Sequence, residues 1–277
     1  MFKSSNHNEI VSRSLNRCIK YHIEKGIPKP KRILSSKELD NLIKENSKII
    51  KIAKPFMEIL YDFLKGSGFS LYLGDKNGIV LTIIGDKDIA IEQAKAGIIE
   101  GADMSEKSAG TNAMGTALFE NSSVQLSGKE HFINIFQIYT CCASVIHNAQ
   151  GDIIGCLNLT GKRQLAHPHT LGLVVSAVKS IENDLKLNKS QNELFKAYQY
   201  LNKIMNSMDF GIFAVDNNGI VKAINNSACS LLGINQEDII DKNVHKVLHS
   251  WQYILDELKS GNVYEDKEIL YSDEKKR

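Results

Sequence analysis

GTNAMGTALFENSSVQLSGKEHF, residues 110–132, is the stretch whose reading decides what kind of protein this is. Gly110 and Gly115 stand at the G-x-x-x-x-G spacing of a phosphate-binding loop, with Thr116 directly after. Such a loop needs a lysine after its second glycine to reach the outer phosphates, then a Ser or Thr for magnesium. Here those positions are Thr116 and Ala117, so nucleotide hydrolysis is not expected. The same residues describe a capped helix instead. Thr111 or Asn112 caps a helix running through Ala113, Met114, Ala117, Leu118 and Phe119, and the small residues let neighbours approach closely. The expectation is a capped helix beside a cavity.

Strand texture lies on both sides of it. Upstream, FSLYLGD and IVLTIIGD flank the turn tripeptide KNG; downstream, VQLSG is followed by TCCASVIHN and DIIGCLNLTG, joined by AQG. An antiparallel sheet with helices packed on it, an α+β fold, is the natural architecture. Residues 9–25 and 36–65 read as helical, separated by the proline-bearing loop GIPKPKR, and Pro55 is expected to kink or split the second helix near Lys54.

A long helix begins near His169. Leu171, Val174, Val178, Ile181 and Leu185 step by three and four, and Leu194, Tyr198, Leu201, Met205 and Met208 do the same, out of phase with the first series. The polar stretch between them, KLNKSQNE, is expected to be a hinge, stutter or break. Two readings stay open: ordinary helices each packing on its own domain, or a dimerising signalling helix. Beyond Met208 come the hairpin GIFAVD-NNG-IVKAINN and the short helices SACSLLG and QEDII. A further helix over VHKVLHSWQYILDELKSG and a strand beginning at YEDKEILYS follow, after which the second domain looks cut short.

Composition narrows the function classes. The 277 residues suffice for about two domains at ~100–200 residues each. Lys plus Arg number 34 against 32 Asp plus Glu, a net charge of +2, so the overall balance calls for neither nucleic acid nor an anionic membrane. No apolar run approaches the ~18–20 residues of a membrane span, and MFKSSNHNEI lacks the apolar core of a signal peptide; a soluble cytoplasmic protein is expected. The five cysteines contain no C-x-x-C pair and no zinc-like spacing, which fits reduced thiols.

With these pieces in order, the sequence resembles the sensory half of bacterial sigma-54-dependent transcriptional activators of the acetoin and dihydroxyacetone regulator type. The resemblance covers nearly the whole chain. It rests on Ser14, Arg17 and Cys18 in SLNRC, on IIGD, GTNAMGTAL and KEHF, on TCCASVIHNAQGDIIGCLNLTG, and on HPHTLGLV. Leu15 and Met104 stand where that family tends to have tryptophan. The resemblance implies an N-terminal helical extension over 1–65, a GAF domain over 66–187, a connecting helix over 188–203 and a C-terminally incomplete PAS domain over 204–277. It implies sensing and no catalysis, with control of an AAA+ ATPase and a DNA-binding module that this chain lacks. The chain is accordingly expected to be a sensory fragment, or a protein whose effector module is supplied in trans. A small-molecule effector and a second copy of the chain are the expected partners. Sigma-54 RNA polymerase and DNA would be reached only through the missing domains. No residue argues for haem or flavin, so the cofactor is left unknown.

Thr111, Asn112, Thr116, His131, Cys141, Cys142, Cys156 and Asn158 are the candidate ligand-binding residues. The helix-start amides and the threonine hydroxyls suit a small polar metabolite, with an anion at the helix N-terminus as one form of it. Adjacent strand residues point to opposite faces, so Cys141 and Cys142 cannot share a pocket. Pairing Asn148 with Asp152 puts Cys142 opposite Asn158, whereas pairing His147 with Asp152 puts Cys141 there. Either way one thiol becomes a diagonal neighbour of Cys156, which would permit a redox or thiol-metal sensor; plain packing is the simpler reading. His131 or His147 beside a cysteine would make an enzyme, yet no orienting third group stands at a recognisable spacing. His167 and His169 flank Pro168 at a helix start and fall short of the four ligands zinc wants. The other class of reading is an interaction module that dimerises and binds no ligand.

Overall fold

The computed structural model describes residues 4–246. Three helices come first, α1 (Ser4–Lys20), α2 (Ser36–Glu45) and α3 (Ser47–Leu64). Ser35 opens α2 with a reciprocal cap, its backbone N–H donating to Glu38 and its hydroxyl accepting from the Glu38 amide. The helical run divides at Asn46, not near Lys54. The Asn46 side-chain amide donates to the Leu42 carbonyl (2.9 Å), competing for the ladder where α2 ends. Pro55 sits inside α3, and Lys51, whose carbonyl would otherwise take the amide that proline lacks, lies on the exposed face.

The elements that follow are β1 (Phe69–Asp75), β2 (Val80–Gly85), α4 (Lys87–Lys95), α5 (Glu106–Ala109), α6 (Ala113–Glu120), β3 (Val124–Ser127), β4 (Tyr139–His147), β5 (Ile153–Lys162) and α7 (Pro168–Asn206). The five strands pair antiparallel in the order β2-β1-β5-β4-β3, the expected α+β architecture. Both faces of the sheet are covered. On one side Leu71, Leu73, Cys142, Leu157 and Leu159 meet Ala53 and Met57 of α3 and Val174, Val178 and Ile181 of α7. On the other, Tyr72, Cys141, Ala143 and Cys156 meet residues of α1 and α6 and of the segments between the strands.

Neither expected register holds along β4 and β5. At the turn Asn148 does donate to the Asp152 carbonyl (2.9 Å). A bulge between Ile146 and His147 then moves the ladder by one residue, pairing Cys142 with Leu159, Cys141 with Thr160 and Ala143 with Asn158. Cys156 therefore faces Val145, four positions along β4 from Cys141, or roughly 13 Å at ~3.4 Å per residue. The two thiols share a face but are not diagonal neighbours, which removes the geometry of a redox pair.

The helix α7 is unbroken through KLNKSQNE, so neither a hinge nor a break interrupts it there. Its two apolar series have different fates. Val174, Val178, Ile181 and Leu185 are buried against the sheet, whereas Leu194, Tyr198 and Leu201 are 73%, 60% and 58% exposed. The chain divides into compact units at Ser190 and Gln191. In the second unit, β6 (Phe213–Val215) and β7 (Val221–Ile224) form the expected hairpin, α8 (Asn226–Leu232) ends at a left-handed Gly233, and α9 (Gln236–Ile239) follows. Val221, Ile224, Ala228, Ile239 and Val244 make its core. Of the helix read from Val244, only the single turn Val244–Lys246 falls among the described residues; the strand at YEDKEILYS lies outside them.

The N-terminal helix is built into the first unit through a buried polar cluster. Ser14 Oγ donates to Glu106 Oε1 (2.5 Å), and Arg17 grips the same carboxylate through Nε (2.5 Å) and Nη2 (2.8 Å). Its third nitrogen, Nη1, reaches Glu120 at 2.7 Å, and its guanidinium lies 3.8 Å from the centre of the Phe119 ring. Burial works against the charge on Arg17, yet the two carboxylates raise its pKa overall. The Glu106 side chain is 2% exposed, so removal of its partner strands a charge. We expect Arg17→Met to lower unfolding stability by about 3–5 kcal/mol, the scale for breaking a buried pair from one side. Adding Glu106→Gln to that variant should recover part of the loss; urea denaturation of the single and double variants checks both.

Candidate functional site

The start of α6 is shaped by a single side chain. Asn112 Oδ1 accepts from the Gly115 amide (3.0 Å), and its Nδ2 donates to the carbonyls of Met104 (2.7 Å) and Gly110 (2.8 Å). Asn112 is thus the N-cap, with all its side-chain polar groups engaged. Gly115 is required by closeness: a Cβ there would lie 2.5 Å from the Met104 carbonyl oxygen and 2.9 Å from the Glu106 amide. The Gly115 and Thr116 amides are both taken by Asn112, so these helix-start donors are not open to an anion.

Beside this cap lies a narrow cavity. The sheet supplies Tyr72, Cys141, Asn158 and Thr160; the α6 end supplies Asn112, Ala113 and Met114; and His131 and Phe136 close it from the segment between β3 and β4. Of the eight candidate residues, Asn112, His131, Cys141 and Asn158 line this cavity. Thr111 and Thr116 face away from it, into the α1 contact, where Ser14 lies 2.8 Å and 3.1 Å from their hydroxyls. Cys142 points to the opposite face of the sheet, and Cys156 packs in the core on the cavity side without lining the cavity. Sequence reading missed Tyr72, whose hydroxyl donates to Gln93 Oε1, and Thr160; only the sheet register reveals them.

His131 follows the helical turn Gly128–Glu130 and is 1% exposed. Its Nδ1 lies 3.2 Å from the Gly128 carbonyl oxygen, while Nε2 is buried without a hydrogen-bond partner. Burial pushes its pKa down to about 4, outweighing that bond and the nearby Glu130. Asn158 Nδ2 donates to Thr160 Oγ1 (2.9 Å), which donates in turn to Cys141 Sγ (3.3 Å); Asn158 Oδ1 is left unpartnered. Burial pushes the Cys141 and Cys142 thiols up to about 12 and raises Cys156 as well, so these thiols are protonated near neutrality and are poor nucleophiles.

His147 belongs to a different place. Its backbone N–H and Nδ1 meet Glu182 Oε1 of α7 at 3.0 and 2.9 Å, and Nε2 lies 2.7 Å from Oδ1 of Asn121, the residue that ends α6. Burial alone would raise the Glu182 pKa, but Lys179 and His147 together hold it below the usual carboxylate value. The His167 and His169 rings lie 4.6 Å apart, tilted, at the start of α7. Among the described residues, no three of His, Cys, Asp and Glu converge as a metal site would require.

Residues 48–185 match the GAF domain family and residues 199–269 the PAS fold. A signal-transduction and transcriptional-control protein of Clostridium beijerinckii is 64% identical over all 277 residues, which make up 44% of its own length. The acetoin dehydrogenase operon transcriptional activator AcoR of Bacillus subtilis is 30% identical over 184 residues, 66% of this chain and 30% of the activator. The crystal structure of the Escherichia coli DhaR(N)–DhaL complex superposes with a TM-score of 0.85 at 17% identity, over 91% of this chain and 86% of the matched one; that likeness concerns the fold. The chain spans less than half the length of these two curated relatives. The relatives are transcriptional regulators, not enzymes.

The depressed pKa of His131 makes stability depend on pH. Between its folded value of about 4 and its ordinary 6.5 the unfolded chain binds the extra proton, so the contribution is complete above pH 6.5 and is lost as pH falls towards 4. The whole step amounts to roughly 3 kcal/mol. Urea midpoints measured from pH 7 to pH 5 should fall more steeply for the natural chain than for His131→Gln.

Proposed function

We propose, for a chain that is a GAF-plus-PAS sensory region homologous to the N-terminal part of sigma-54-type transcriptional activators such as AcoR and DhaR, that the cavity beside α6 receives a small-molecule effector. The observation that carries this reading is the pair His131 and Asn158, two buried side chains each with an unpartnered polar atom on one cavity. Buried polar atoms ordinarily find partners, and a bound effector supplies them. The chain works in the cytoplasm as a regulatory region and not as an enzyme. Its occupancy controls an ATPase and a DNA-binding module outside this chain, and through them sigma-54 RNA polymerase.

Transmission runs through α7. Strand β4 carries Cys141 on the cavity face and Cys142 on the face packed against α7, and His147 at its end is bonded to Glu182 of that helix. A shift of β4 on binding therefore biases the position of α7, which is the differential contact a ligand needs to move an equilibrium. The exposed series Leu194, Tyr198 and Leu201 supplies the seam of a homodimer. A docking module for another protein is the second reading, favoured by the neighbour DhaR(N) having been crystallised with DhaL and by the exposed Ile59 and Phe63 on α3.

Native mass spectrometry of the freshly purified chain tests these statements together. We expect a dimer that carries, or takes up from a metabolite mixture, one defined small mass per chain. Leu194→Asp with Leu201→Asp should yield monomers that still take up that mass. A chain that takes up nothing would count against the effector site and favour protein docking; a natural monomer at micromolar concentration would sink the seam.

A further inference from the structure

We infer that the outer edge of β3 docks an extended segment of another protein, which joins the sheet as a sixth strand antiparallel to β3 and carries an acidic residue two places before the apolar residue opposite Gln125. The two edges of the sheet are treated differently. Beyond β2 the chain itself closes the edge: the Val80 amide donates to the Ala102 carbonyl (2.9 Å), the Val80 carbonyl accepts from Gly101 (2.8 Å), and Ile79 bridges Asp103. β3 stands at the other end of the strand order, and among the described residues no strand or bridge pairs with its outer side. Ser127 gives its amide to Glu130 Oε2 (2.7 Å), away from β4, which fixes the alternation. The N–H and C=O of Gln125 therefore also point outward, and those of Val124 and Leu126 point to β4. An outward pair of this kind is a template for another chain.

The shape of the edge chooses the occupant. It is the floor of a groove walled by His7 and Ile10 of α1 and by Leu171, Gly172 and Val175 of α7. A second copy's β3 would bring the same two helices with it and could not reach the floor, whereas a free strand can. The Gln125 side chain lies on the α7 side, donating to the His167 carbonyl (3.2 Å), so the guest residue opposite it meets Leu171 and Val175 while that residue's neighbours turn to Ile10. A Cβ on Gly172 would touch nothing within 4 Å, which leaves room for an apolar side chain there. Lys129 and Arg163 stand at the Ser127 end, Arg163 so close over Gly128 that a Cβ there would lie 2.7 Å from its Nε. Glu130 is turned to His7 (2.6 Å) and to the Ser127 amide, and neither cation has a carboxylate partner among the described residues. An acid near the start of an antiparallel guest complements them.

NMR titration of the whole nitrogen-labelled chain with the peptide acetyl-Ser-Glu-Val-Leu-Val-Thr-Ser-amide tests this. We expect saturable binding with Kd at or below about 1 mM, the Gln125 amide being among the resonances that move most. Methylating the leucine nitrogen removes its bond to the Gln125 carbonyl and should weaken binding about three- to tenfold, one net hydrogen bond's worth. Exchanging the glutamate for lysine should also weaken it. Gln125→Pro removes the outward amide at an edge where proline is tolerated, and Gly172→Trp fills the groove from an exposed helix position. Each should abolish binding with the circular dichroism spectrum unchanged. No binding of the peptide, or binding indifferent to N-methylation and to both variants, would overturn the docking site. A peptide-free dimer that Gln125→Pro converts to monomers would assign the edge to a second copy and overturn it equally.

Discussion

The buried pair of Arg17 and Glu106 is the contact on which the first unit depends. Glu106 belongs to α5, the turn immediately before the GTNAMGTAL segment, and its carboxylate also accepts from Thr116 in α6 and from Ser14 in α1. A charge so enclosed is tolerable only with its partners in place, because an unpaired buried carboxylate is far more costly than the net value of the pair. The N-terminal α1 is thereby held against α5 and α6, although Ser14 and Glu106 stand 92 positions apart. The position of α6 follows from that arrangement, and with it the cap at Asn112 and the cavity beside it.

The same sheet serves two masters because it is buried on both faces. Alternation along β4 sends Cys141, Ala143 and Val145 to the cavity side and Cys142 and Ile146 to the side held by α3 and α7. Neighbouring residues of β4 thus touch the cavity on one side of the sheet and α7 on the other. The link from His147 to Glu182 and to Asn121 adds a polar tie among β4, α7 and the end of α6.

Much of this was legible beforehand. Asn112 was one of two candidates for the cap, both hairpins of the first unit lie where their turn residues put them, and His131, Cys141 and Asn158, candidate ligand-binding residues by sequence, line the cavity. The misreadings have separate causes. Thr111 and Thr116 look like ligand hydroxyls in a small-residue segment, but α1 packs against that side and uses them. Pro55 looks like a helix break, yet the run divides at Asn46, where a side-chain amide competes with the ladder. The thiol pairing failed because a bulge has no strong signature in IIGC.

What the sequence determined by itself is most of what depends on near neighbours: the α6 cap, the turns, the alternation of faces and the three-four stepping of α7. These follow from interactions spanning a few residues, which local chemistry specifies. Only the tertiary structure decided which face each thiol takes, which half of α7 is covered, and that His131 and Asn158 keep unpartnered polar atoms while Asn112 keeps none. Those outcomes depend on one residue of slip in the β4–β5 ladder and on contacts made across about a hundred positions, such as Ser14 with Thr111 and Thr116. A one-residue slip reverses a strand's faces at little local cost, so the choice is made by packing on both sides of the sheet.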